Sequence, residues 1–139
     1  MVLGDVGGAV VGVDNPSFED DALGPGSFIF SATNWQQGGG TSSGTVRAGG
    51  PPFPPTPDGV NIGFVNGGAG AGGFNGLYQV LAAVIEEDTR YVLRVEVGDR
   101  SDLPFPDTIV ALGAGSVWGD QVLPADALSV PSPDSSFST

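Results

Sequence analysis

Residues 89–97 read Thr-Arg-Tyr-Val-Leu-Arg-Val-Glu-Val. Tyr91, Leu93, Val95 and Val97 share one parity, while Val92, Arg94 and Glu96 share the other. A period of two marks a strand with one face on a core and one toward water. Weaker segments of the same kind fall at 9–13, 27–31, 60–66, 77–84, 108–112 and 116–123. The chain contains 24 glycines and 12 prolines. That content suits short strands joined by tight turns and disfavours long helices. About eight short strands without crossover helices predict an antiparallel arrangement. The expected fold class is all-β, an antiparallel β-sandwich of jelly-roll type. Residues 1–8 are expected to be a flexible leader, and residues 9–139 a single domain.

Charge narrows the partners. Sixteen Asp and Glu face four Arg, with no Lys and no His, for a net charge of -12. Such a surface repels a phosphate backbone and an anionic membrane, so neither nucleic acid nor membrane insertion is expected. A divalent cation is the natural partner of surplus carboxylates. The absence of Cys removes disulfides, thiolate chemistry and zinc–thiolate sites. Residues 1–13 lack a basic segment followed by a clean apolar stretch, so they do not read as a signal peptide. No apolar run reaches the length of a spanning helix.

The turn and loop segments carry the candidate sites. Asn15, Glu19, Asp20 and Asp21 form an acidic turn whose hard oxygen donors suit Ca²⁺. Residues 49–59 hold five prolines and read as a surface loop of polyproline character. Trp35, Tyr78 and Trp118, with Gln79, Arg100 and Asp102, are the available parts of a stacking and hydrogen-bonding ligand site. Arg100, set between Asp99 and Asp102, is also placed to tie down its own loop. Without His or Cys, catalysis reduces to paired carboxylates such as Asp99 with Asp102 or Asp14 with Glu19. Nothing in the sequence marks either pair as buried, so an enzyme is not expected. The glycine-rich run at 67–76 has no following Lys and is not a phosphate cradle.

The ordered set Asn15-Pro16-Ser17-Phe18-Glu19-Asp20, Trp35, Pro57-Asp58-Gly59-Val60-Asn61, Gln79-Val80-Leu81, residues 89–93 and Val97-Gly98-Asp99-Arg100 resembles the galactose-binding-like jelly rolls of bacterial exoproteins. That group includes proteins with PEP-CTERM sorting tails, and the pattern is also similar to xylan- and glucan-binding modules. The resemblance spans residues 11–137. It implies a non-catalytic extracellular or cell-surface module that binds polysaccharide or another glycan. It also implies a structural Ca²⁺ on Glu19. Members of the group continue beyond a segment like residues 136–139 with further strands. The domain is therefore expected to be incomplete at its C-terminal side, with open sheet edges. Those edges carry the second expectation, a self-assembling fibre, sheath or virion-surface subunit that forms a homo-oligomer by strand complementation.

Overall fold

The structure, a computed structural model, describes residues 2–3, 10–67, 75–105, 108–115 and 128–130. Nine strands and no helix lie among them, and every pairing is antiparallel. The all-β expectation holds. Strands β1 (Val2–Leu3) and β7 (Leu93–Arg94) pair with each other. Strands β2 (Phe28–Ile29), β4 (Ser43–Arg47) and β5 (Asn61–Val65) form the one three-stranded sheet, in the order β2-β4-β5. Strand β3 (Gln36–Gly38) pairs with β6 (Gly76–Tyr78), and β8 (Thr108–Val110) with β9 (Leu128–Val130).

The β2-β4-β5 sheet has two chemically distinct faces. Directly opposed residues in an antiparallel ladder share a face. Phe28, Val46 and Ile62 therefore form one row, with Gly44 and Phe64 beside it. On that face Phe28, Phe30 and Phe64 meet edge to face, with centroids 5.3, 5.9 and 6.3 Å apart. Val46 is buried beneath them, yet Phe28 and Phe30 remain 57% and 53% exposed. The other face carries Ile29, Thr45 and Gly63 in one row, flanked by Ser43 and by Arg47 paired with Asn61. Here Ser43 and Thr45 are wholly buried. Burial of hydroxyls in a sheet is stable only where each finds a partner. Ser43 donates to the Gly76 carbonyl at 3.0 Å, and Thr45 donates to the Asp21 carboxylate at 2.7 Å.

Several segments depart from the sequence reading, and no strand forms over 10–13 of the one expected at 9–13. Residues 38–44 look like a glycine-serine loop, but β3 ends and β4 begins within them. Apolar alternation cannot reveal β4, because its buried positions are Ser43, Gly44, Thr45 and Val46. The leader expected to be flexible supplies β1, which pairs with the alternating segment. Leu93, Val95 and Val97 are half-buried while Arg94 and Glu96 are exposed, so burial alternates over 93–97, but Val92 on the other parity is half-buried too. The ladder itself covers only Leu93–Arg94. The strand expected at 77–84 stops at Tyr78. The strand expected at 116–123 lies outside the described residues.

Close approach fixes the β2-β4 contact. A Cβ added to Gly44 would sit on the Ile29 carbonyl oxygen and against the Ser31 amide. Backbone cannot yield as a side-chain tip can. Gly44→Ala is therefore expected to destabilise the fold by about 3 kcal/mol, at the upper end of overpacking penalties, read as a lower urea midpoint at unchanged slope. An unaltered midpoint would mean that β2 does not approach β4 this closely.

Candidate functional site

The acidic turn begins with a proline-fixed bend. Pro16 follows Asn15, and the Phe18 amide donates to the Asn15 carbonyl at 3.2 Å, the closure of a β-turn with proline at its second position. The Asn15 side chain accepts from the Asp20 amide at 3.1 Å and donates to the Thr33 carbonyl at 2.9 Å. The Trp35 indole N–H donates to the Asn15 carbonyl at 3.0 Å. Asn15 and Phe18 both have positive φ, 48° and 63°. Asn tolerates the left-handed region, whereas an aromatic residue there is strained. The strain places the Phe18 ring on Gly63 of β5, where a Cβ would strike it, and stacks it on Trp35 at 5.2 Å.

Beyond Phe18 the turn is pinned to the sheet by two carboxylates. Glu19 Oε1 accepts the Val60 and Asn61 amides at 2.8 and 2.7 Å. It thus holds the entry to β5. Gly59, at φ 63°, leaves the space that the Glu19 carboxylate fills; any Cβ there would collide with it. Asp21 is 8% exposed. It accepts from Thr33 Oγ1 at 2.6 Å, from the Thr33 amide at 3.1 Å and from Thr45 Oγ1 at 2.7 Å. Asn61 completes the knot by donating to the Phe18 and Asp21 carbonyls at 2.9 and 2.8 Å. Its Oδ1 is buried without a partner among the described residues.

Burial pushes the Asp21 carboxyl up. The hydrogen bonds from the Thr33 and Thr45 hydroxyls and the Thr33 amide outweigh that effect, and the net shift is downward. Asp21 is therefore a fixed negative charge at neutral pH and no proton donor. Between this turn, the entry to β5 and the end of β4 opens a cleft of about 400 Å³. Glu19, Asp21, Leu23, Arg47, Val60 and Asn61 line it. The Arg47 guanidinium donates to the Leu23 carbonyl at 2.9 Å.

The sequence-derived site residues separate in space. Asn15, Glu19, Asp20 and Asp21 share one turn, but their oxygens face protein donors; Asp20 accepts from Asn34 at 3.3 Å. No cluster of three or more acidic side chains able to hold a metal occurs among the described residues. Trp35 is half-buried on Phe18 and serves the turn. Tyr78, half-buried on β6, donates to Gln36 at 2.7 Å across the β3-β6 pair. Gln79 binds both the amide and the carbonyl of Asp14, at 2.9 and 3.0 Å. Arg100 and Asp102 belong to a different loop. They form a two-point ion pair at 3.0 and 2.8 Å, and the guanidinium lies 5.1 Å from the Phe53 ring centre. That loop docks on the proline-rich segment through the Ser101 amide and the Pro52 carbonyl at 3.0 Å. Trp118 lies outside the described residues. Arg47 and Asn61 carry no local sequence signal; they come together only through the β4-β5 pairing.

Residues 9–139 match the model of the HpiC1-like family, described as HpiC1 cyclase. The chain belongs to the HpiC1-like cyclase family. Searches of the curated proteins and of the solved structures give no match. The family assignment corrects the expectation of a non-catalytic, carbohydrate-binding or self-assembling structural module, and with it the expectation that the protein is not an enzyme. Missing His and Cys remove two kinds of catalytic group, but ring closure can proceed by confinement and fixed charge alone.

The knot predicts a signed pH dependence. Asp21 is held below the ordinary value of 3.8, so its stabilisation is complete above that pH. It is lost as pH falls through the lowered folded value. Asp21→Asn should remove about 2 kcal/mol at neutral pH, because an amide leaves part of the three-donor set unmatched. It should also flatten the acid limb of stability against pH, followed by thermal melting from pH 7 downward. An acid limb as steep in the variant as in the parent would move the titrating group elsewhere.

Proposed function

We propose that the protein is a ring-closing enzyme whose reaction takes place in the cleft between the acidic turn and β5. The observation that supports this reading is the family match across residues 9–139. The chemistry of the chain limits the kind of closure. Without Lys, His or Cys, the protein has no side chain for imine or thioester intermediates and no imidazole base. The compatible class is an isomerising cyclisation. In it a flexible unsaturated substrate converts one π bond into one new σ bond, and no atom is gained or lost. The cleft contributes an apolar side from Leu23 and Val60 that folds the substrate. It also contributes the fixed charge of Asp21, which favours positive charge developing in the transition state. The hydrogen-bonded turn holds these groups in place before the substrate arrives, so they need little reorganisation.

The test is incubation of the purified chain with a panel of unsaturated acyclic compounds, followed by chromatography with mass detection. The expected result is a product of identical mass, altered retention and one fewer double bond, formed by native and not by heat-denatured protein. Recovery of the whole panel unchanged, or products that differ in mass, would overturn the reading.

A further inference from the structure

We propose that Asn66 is a site of spontaneous covalent modification, where attack by the Gly67 amide nitrogen converts the asparagine to an isoaspartyl or aspartyl residue. The site follows the end of β5 remote from the cleft, and it does not depend on the enzymatic reading. The step consumes only water. The Gly67 nitrogen forms a bond to Asn66 Cγ, and its proton passes to the leaving group. The Cγ–Nδ2 bond breaks, ammonia departs and a succinimide ring remains. Water then adds to one of the two ring carbonyls and opens the ring. A carboxylate now stands where an amide stood, so one negative charge joins the net charge of -12. The isoaspartyl product also carries an extra methylene in the main chain.

The chain has five asparagines, and the residue after each narrows the choice. Asn15 precedes Pro16, whose nitrogen has no proton to lose. Asn34 precedes Trp35, whose amide donates to the Ala32 carbonyl at 3.0 Å. Asn61 is 3% exposed and precedes the β-branched Ile62 within the β4-β5 ladder. Asn66 and Asn75 alone precede glycine. There no side chain shields the attacking nitrogen, and the backbone turns most freely.

The structure separates these two Asn-Gly pairs, which local sequence makes equivalent. At Asn75 the leaving nitrogen, Nδ2, donates to the Asn66 carbonyl at 3.0 Å. Gly76 is buried in β6 opposite Gly38, and its carbonyl accepts from Ser43 Oγ at 3.0 Å. Bringing the Gly76 nitrogen onto Asn75 therefore means opening the β3-β6 pair. Asn66 is anchored only through its main chain: its amide donates to the Ser42 carbonyl at 2.9 Å and its carbonyl accepts from Asn75. The Asn66 side chain makes no hydrogen bond among the described residues. Gly67 is exposed, lies in no strand, and its amide donates to no described group. The two groups that must meet are thus both unengaged. Conversion displaces the carbonyl that Asn75 holds, and so loosens the clasp between the end of β5 and the start of β6.

The experiment incubates the purified full chain at mildly alkaline pH, with and without concentrated urea, and samples it over time. Trypsin cuts after Arg47 and Arg90, so one peptide carries Asn61, Asn66 and Asn75. Its fragment masses assign each conversion. In the native chain Asn66 is expected to convert at least about tenfold faster than Asn75, because Asn75 must wait for a local opening. In urea the two rates should converge. The native rate at Asn66 should rise with pH, since the attacking nitrogen must lose its proton. Gly67→Ala should slow conversion at Asn66 and leave Asn75 as it was. Equal native rates, a faster Asn75, or an Asn66 that converts in urea but not in the native chain would overturn the proposal.

Discussion

The fold of the described residues depends on one buried carboxylate. Asp21 gathers the Thr33 amide, the Thr33 hydroxyl and the Thr45 hydroxyl around its two oxygens. Those donors come from the segment before β3 and from the middle of β4. One side chain thereby ties the turn to two other parts of the chain. Among the described residues Ala32 and Val46 are the deeply buried hydrophobic side chains, and Asp21, Ser43, Thr45 and Asn61 are as deeply placed. In a sheet buried by polar groups, hydrogen bonds carry the specificity that apolar packing carries elsewhere. Each missing partner then leaves a whole group desolvated. The strained φ of Phe18 persists because its ring is held between Trp35 and Gly63.

That arrangement explains what could be read in the sequence and what could not. Period-two alternation is a signal of apolar burial, and it located β5, through Ile62 and Phe64, and a segment at 89–97 of which only Leu93–Arg94 joins a ladder. It missed β4, where Ser43 and Thr45 take the inward positions under a carboxylate that is distant in sequence. It missed β3 because Gln36-Gln37-Gly38 has no apolar face at all. The acidic turn was recognisable as a cluster of oxygen donors, but the protein groups those oxygens meet were not. Glu19 and Asp21 read as cation ligands from composition, whereas in the structure they accept backbone amides and threonine hydroxyls. Only the partner atoms separate the two readings. Arg47 and Asn61 gain meaning from their cross-strand pairing, which no local pattern discloses. Arg100 and Asp102, two residues apart in sequence, pair as local charge chemistry predicts.

Function followed the same division. A chain with no His, Cys or Lys looks poor in catalytic groups when residues are counted. Family membership points to an enzyme all the same. The hydrogen-bonded turn fixes two carboxylates on one side of the sheet. The exposed ring cluster of Phe28 and Phe30 lies on the opposite face of the same sheet from the cleft. The carboxylate-bearing turn and the apolar surface are thus kept apart by a single layer of backbone.

Amide hydrogen exchange tests this account most directly. The Thr33, Val60 and Asn61 amides donate to the Asp21 and Glu19 carboxylates rather than to backbone carbonyls. If the carboxylate knot holds the turn to the sheet, these three exchange as slowly as the amides of the β4-β5 ladder, through one shared opening. Rapid exchange at all three beside a protected ladder would contradict it, since the turn would then be a loosely attached loop and the cleft would have no fixed wall.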